Sequence, residues 1–307
     1  MHQVLFSVRG FALHTYGVLI ALGFLVGIVL AARAARRAGL PAERILDLCF
    51  WILVAGLVGA RVLYIVVNAG DYVSMCREGV MSGSRRELLW RCSAVLHVWE
   101  GGLVFYGGFL AALGTVAYYV RRHRLPFLQT ADVLAPSLAI GHFFGRLGCF
   151  AAGCCFGKVC RSGFGARFPR GSVAYEDLFG RGLIATGSAV TPPLHATQLY
   201  EAGGELVIFV LVTVLARRKR AHGQVLLAYL ASYALLRAVV ELFRGDAGRK
   251  MVLELATPRL SAWLGLSPAQ AVLLSTSQLL SLLAVAGALA LYVVLRRRAR
   301  AHLVDSR

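Results

Sequence analysis

Charge is scarce in this sequence. Only 16% of its 307 residues are Asp, Glu, Lys or Arg, and the 15 acidic residues are outnumbered by 33 basic ones. With a hydrophobic content of 58% and a mean hydropathy of +0.68, this scarcity excludes an ordinary soluble domain, in which about a quarter of residues are charged. No internal repeat of fixed period and no low-complexity tract is present apart from a short basic C-terminus, so a repeat architecture is not indicated. No small-residue cleavage site follows the first apolar run, which leads straight into basic RAARR at residues 33–37. That run is therefore expected to be a retained helix and not a removed signal peptide. No C-x2-C pair of the zinc-ribbon kind occurs among the seven cysteines.

What is there is apolar sequence in lengths that suit a bilayer, which needs about 20 such residues per helix. Seven runs qualify, at roughly 12–32, 45–67, 103–120, 130–150, 203–216, 224–243 and 268–295. Basic clusters follow the first, third, fifth and seventh: Arg33, Arg36, Arg37 and Arg44; Arg121, Arg122 and Arg124; Arg217, Arg218, Lys219 and Arg220; Arg296, Arg297, Arg298 and Arg300. Positive charge collects in short cytoplasmic loops. The expectation is an all-α integral membrane protein of seven transmembrane helices, with the N-terminus outside and the C-terminus cytoplasmic. One polytopic domain covers residues 1–307, and a Gly-, Pro- and Ser-rich stretch within 151–200 forms a small irregular outer cap. The net charge of +18 is explained by juxtamembrane contacts with anionic headgroups, and no nucleic-acid partner is expected.

A charge inside such a run costs about 3 kcal/mol on insertion scales, so each asks for a reason. Arg146 stands near the end of the fourth run, with Gly141, Gly145 and Gly148 clearing space around it. Arg237 and Glu241 are spaced i, i+4 in the sixth, on one helix face and close enough to pair, and Arg244 and Asp246 follow at its mouth. The structural alternatives are a self-neutralising pair for Arg237 and Glu241 and snorkelling for Arg146. The functional one is an anion site within the bilayer: guanidinium grips phosphate bidentately, and a phospholipid phosphate is the nearest anion. LHATQLYEA at 194–202 places His195, Gln198, Tyr200 and Glu201 at the start of the fifth helix. His195 and Gln198, three apart, suggest a polar surface facing a cavity, while Tyr200 suits an aromatic belt. VWEGGLVFYGG at 98–108 brackets Phe105 and Tyr106 with glycine pairs that include Gly107, equally suited to helix packing and to building a site.

Cys76 and Cys92 could pair in an oxidising compartment, and Cys49 reads as a small buried residue. Cys149, Cys154, Cys155 and Cys160 follow a C-x4-C-C-x4-C pattern. Passive packing suits it best, a disulfide or reactive thiol pair next, and a metal least, because adjacent cysteines seldom share a tetrahedral site without strain.

Together, GRLGCFAAGCCFGK, WEGGLVFYGG, HATQLYE and RAVVELFRGD, in order within seven apolar runs, resemble the bacterial prolipoprotein diacylglyceryl transferases over nearly the whole chain. The resemblance implies transfer of the diacylglyceryl group of phosphatidylglycerol to the lipobox cysteine thiol of a prolipoprotein. A thioether forms and glycerol phosphate leaves, with no metal or organic cofactor. It implies a bacterial inner membrane location, a site toward the periplasmic face, partners limited to phosphatidylglycerol, lipobox segments and membrane lipids, and a monomer. Arg146 would hold the phosphate and Arg237 would act at the reacting centre. Glu241 would orient Arg237, Arg244 would border the site, Tyr16 and Tyr233 would line it, and Gly157 would close the signature, with Gly107, His195 and Gln198 also binding lipid. The chain departs from the family's commoner pattern where Tyr106 replaces histidine, Cys149 asparagine and Cys154 glutamate. Tyr106 then serves as hydrogen-bond donor or tyrosinate, with the thiol activated mainly by the arginines. The rival readings are an altered paralogue that binds phospholipid or lipoprotein and a membrane thiol redox protein.

Overall fold

The computed structural model describes residues 4–8, 11–81, 84–96, 101–160, 163, 165–245, 251–255 and 273–275, with a few more between 279 and 292. A hairpin of β1 (Val4–Val8) and β2 (Phe11–His14) leads into α1 (Thr15–Arg37). Then come α2 (Ala42–Val67), α3 (Ala69–Met81), α4 (Arg85–Cys92), a 3-10 turn at Ser93–Leu96, α5 (Phe105–Arg122), α6 (Phe127–Ala152), α7 (Val173–Gly180), α8 (Thr197–Arg218) and α9 (Gln224–Glu241). Strands β3 (Met251–Leu255) and β4 (Leu273–Ser275) pair antiparallel.

Five helices, α1, α2, α6, α8 and α9, are long and apolar enough to cross a membrane. They contain five of the seven expected runs. The third run forms α5, whose 18 residues include the terminal Arg121 and Arg122, and it is not among the five. The seventh run, 268–295, lies mostly outside the described residues, and Leu273–Ser275 within it is strand. The all-α expectation is thus amended by two small two-stranded sheets, and residues 12–14 of the first run belong to β2.

The chain divides into two compact units, one of residues 1–34 with 131–307 and one of residues 35–130. In the second unit α2 packs against α5 through glycine: a Cβ on Gly107 would come within 2.5 Å of Leu63 Cβ, and one on Gly108 within 2.8 Å of the Gly56 carbonyl oxygen. Close approach through small residues is how membrane helices associate without a hydrophobic drive. Gly107 is therefore a packing glycine in this unit. Cys76 and Cys92 form a disulfide joining α3 to α4, and Arg91 of α4 reaches Glu78 of α3 at 2.5 Å while also pairing with Glu87 of its own helix at 2.9 Å. Arg61, 7% exposed, went unremarked in the second apolar run. Its guanidinium donates to the carbonyls of Val95, Gly101 and Gly102 at 2.7–3.1 Å and lies over Tyr64 and Tyr72, which fixes the chain entering α5.

In the first unit Gly23 and Gly27 let α1 approach α6, since a Cβ on Gly23 would stand 2.7 Å from Phe144 Cβ and one on Gly27 3.4 Å from the Ser137 carbonyl oxygen. Ala135 and Ala139 of α6, Ile208 and Val212 of α8, and Val225 and Tyr229 of α9 form one apolar core. Helix α9 begins at a glycine with no side-chain cap of its own, and α6 supplies one. Asp132, 2% exposed, accepts from the amides of Gly223, Val225 and Leu226 and from Lys219 Nζ at 2.8–3.0 Å. Asp132→Ala should leave that helix start and Lys219 without their acceptor and lower stability by about 3 kcal/mol, read as a fall in melting temperature in detergent.

Within 151–200, Phe156, Phe168, Ala174, Tyr175, Leu178, Ile184 and Leu194 form a core of their own. Antiparallel bridges join Val159 and Ala166 to Leu194 and Pro169 to Val190. Ser172 caps α7, its hydroxyl accepting from the Tyr175 amide at 3.2 Å.

Candidate active site

Three helices of the first unit each carry a polar row at a spacing of four residues. Helix α6 contributes His142 and Arg146, α8 contributes Glu201 and Glu205, and α9 contributes Tyr229, Tyr233, Arg237 and Glu241. The i, i+4 interval puts each set on one face. Arg146 pairs with Glu201 at 2.9 Å and Arg237 with Glu241 at 2.7 Å. In both pairs the carboxylate is almost wholly buried while the arginine side chain keeps 22% or 17% exposure, so each cation is held by a buried partner and is itself only partly buried. Tyr233, one turn before Arg237 on α9, has its ring 5.3 Å from that of His142 and stacked on that of Tyr229. One turn along, His142 Nδ1 meets Glu205 Oε1 at 3.0 Å and the Tyr229 hydroxyl at 2.9 Å.

Among the flanking glycines, Gly148 is the one held against a neighbour, as a Cβ there would stand 3.0 Å from Tyr16 Cδ2. Gly141 and Gly145 face open space. Tyr16 is thereby placed beside Arg146 and Cys149, with which it interacts electrostatically.

Beyond α6 the chain reverses, with Gly153 at φ +76° and Cys155 at φ +57°. A left-handed backbone is costly for a cysteine, and α8 holds the turn: Gln198 Nε2 donates to the Cys154 carbonyl and Thr197 Oγ1 to the Cys155 carbonyl, both at 2.7 Å. The next residues add extended pairing. The Gly157 amide donates to the His195 carbonyl and the Lys158 amide to the Phe243 carbonyl, while Gly157 bridges Arg244. A Cβ on Gly157 would come within 2.5–2.8 Å of His195 and the Phe243 carbonyl oxygen, so only glycine fits.

His195 and Gln198 do not face an open cavity as expected, being 5% and 1% exposed. They stitch the turn to α8, and each retains one unpaired buried atom, His195 Nε2 and Gln198 Oε1. Burial first, and the Lys158 charge second, hold the His195 imidazole below its ordinary pKa. The unfolded chain takes up this proton near pH 6.5, and the folded chain resists it. Stability from this residue is therefore full above about pH 6.5 and declines as the pH falls below it. Melting temperatures between pH 7.5 and 5 should drop less for His195→Gln than for the parent chain.

The reversal brings the Sγ atoms of Cys149, Cys154 and Cys155 within 4.8 Å of one another, all three half-buried and none in a disulfide. Cys160 is buried apart from them. Hydrogen bonding from Cys149 and Cys154, then the Arg244 and Arg146 cations, favour the Cys155 thiolate over the opposing effect of burial. The same bonding raises Cys154. Tyr106 lies in the other unit, on α5, 70% exposed with its ring against Phe105.

Glu201 was noticed only as part of a polar stretch, and His142, Glu205 and Tyr229 were missed. Their signal was present in the sequence as four-residue spacings from Arg146, Glu201 and Tyr233.

Five helices long and apolar enough to cross a membrane, with two arginines of the first unit each paired to a buried glutamate inside them, mark the class as a helical membrane protein carrying paired charges within its spans. Sequence comparison identifies which one: a family model for prolipoprotein diacylglyceryl transferase matches residues 3–294, and the chain belongs to that family. It is 26% identical over 246 residues to the phosphatidylglycerol–prolipoprotein diacylglyceryl transferase of Clostridium tetani, covering 80% of this chain and 86% of that protein. Its identity to the enzyme so named from Thermotoga maritima is 31% over 252 residues, or 80% and 76% of the two chains. With that of Rhodopirellula baltica it is 36% over 197 residues, or 62% and 38%.

Proposed function

We propose that this chain transfers the diacylglyceryl group of phosphatidylglycerol to the lipobox cysteine thiol of prolipoproteins, the first step of lipoprotein maturation. The observation that carries the proposal is the pair of arginines, each braced by a buried glutamate and only partly buried itself. The departing phosphate goes from one negative charge to two as the C–O bond breaks, so cations fixed at that oxygen stabilise the transition state more than the ground state. Arg146 grips the phosphate and Arg237, oriented by Glu241, meets the developing charge. Tyr16, Tyr233 and Arg244 line the pocket, and Gly157 with His195 and Gln198 holds its wall. The enzyme works as a monomer in a bacterial inner membrane, with seven spans, the N-terminus outside and the site and its cap toward the periplasm.

The test is complementation. Expression in cells depleted of their own transferase should restore lipid attachment to a lipobox reporter, and correct insertion without attachment would refute the reading.

A further inference from the structure

We propose that Cys149, Cys154 and Cys155 form a three-thiolate site for a thiophilic d10 cation of the zinc class, whose open fourth position takes the sulfur of the acceptor cysteine. The identity of the incoming thiol rests on the transferase reading above. Three sulfurs around a cation at about 2.3 Å stand roughly 4 Å apart, and here all three already lie within 4.8 Å. Closing the site takes a movement of about an ångström per pair at most. A purely sulfur donor set selects zinc or cuprous ions over magnesium or calcium. Three protein ligands with one vacant position are the arrangement of a reactive zinc site, whereas structural sites use four. The half-buried sulfurs leave the vacant position reachable.

The surroundings fit the charge. Three thiolates and a dication carry one net negative charge, and a fourth thiolate makes two. Arg146 stands one turn before Cys149 on α6, and Arg244 is bridged to Gly157, two residues beyond Cys155, so two cations border the site. The left-handed backbone at Cys155, held by Thr197 and Gln198, is what lets adjacent cysteines serve one centre.

A metal-bound thiol is deprotonated outright. The acceptor thiol binds, releases its proton to water, and its sulfur attacks the glyceryl carbon of the lipid beside Arg146. The C–S bond forms with the sulfur's electron pair as the C–O bond breaks. That bond's electrons leave on glycerol phosphate, and the neutral thioether, a weak ligand, departs. Neither oxidation nor reduction occurs.

The full-length chain, purified in detergent with a phosphine reductant, is titrated with Cd(II) as probe and Zn(II) as competitor. One Cd(II) per chain with a sulfur-to-metal charge-transfer band is expected. Cys149→Ser, Cys154→Ser and Cys155→Ser should each weaken it at least about tenfold, the scale at which even outer-shell partners matter, and Cys49→Ser should not. Adding a lipobox peptide should strengthen the band, and its Cys→Ser counterpart should leave it unchanged. Chelated chain should transfer at least about 100-fold more slowly, the lower range for loss of proton-transfer catalysis, and Zn(II) should restore it. No stoichiometric band in the parent chain, a band indifferent to the peptide thiol, or full transfer by demonstrably metal-free chain would overturn the proposal. If no metal state transfers lipid, the transferase reading fails, and the peptide-thiol measurement still decides whether the cysteines capture a thiol.

Discussion

Arg146→Ala should reduce diacylglyceryl transfer about 100- to 1,000-fold, the loss seen when one preorganised donor to a developing oxyanion is removed. The substitution also has a structural cost to be separated from the chemical one. Glu201 is 2% exposed and its carboxylate faces Arg146 at 2.9 Å, so removing the cation leaves a buried charge uncompensated, at about 3–5 kcal/mol of stability. Part of any lost activity in the single variant would then be lost protein. The double variant Arg146→Ala/Glu201→Gln removes the stranded charge. It should recover the melting temperature and the yield of inserted protein, yet remain as inactive as Arg146→Ala. Arg146→Lys keeps the charge and loses the bidentate fork, and should fall between the parent and the alanine variant. Transfer by a radiolabelled phosphatidylglycerol assay, normalised to folded protein, separates these outcomes. Near-parental transfer by the double variant would remove Arg146 from the mechanism.

What the sequence made legible was local. The pairing of Arg237 with Glu241 follows from a four-residue interval within one helix and holds at 2.7 Å, and five apolar runs became membrane-length helices. Whatever depends on contact between helices was hidden. Glu201 sits on α8 and Arg146 on α6, and no periodicity in either indicates that they meet. The acceptor that caps α9 is Asp132, more than two helices earlier in the chain. Arg61 was detectable in principle, being a charge inside an apolar run, but its partners are backbone carbonyls of a distant segment. The cysteines show the limit most clearly. Their spacing argues against a common site, and a reversal through two left-handed residues brings three of them together. The family resemblance located the signature arginine and glycine without revealing what holds them.

Gly157→Ala should abolish transfer while leaving the helical bundle inserted. The added methyl would have to lie 2.5 Å from the His195 carbonyl oxygen, 2.6 Å from His195 Cβ and 2.8 Å from the Phe243 carbonyl oxygen. Two of these are backbone atoms tied into the pairing of Gly157 with His195 and Lys158 with Phe243, so no single side chain can swing aside. Relief requires moving the strand-like segment as a whole, at about 1–3 kcal/mol for an overpacked position. Because the same segment continues from the turn of Cys154 and Cys155 and abuts Arg244 through its bridge, movement there displaces the pocket wall by a distance that catalysis tolerates poorly. The apolar core of α6, α8 and α9 lies elsewhere and is untouched. The expected signature is therefore specific: parental helicity and membrane insertion, a modest fall in melting temperature, and transfer reduced about 100-fold or more, the scale of a 1 Å misplacement. Transfer within a few-fold of the parent chain would mean that the segment yields without carrying the site with it.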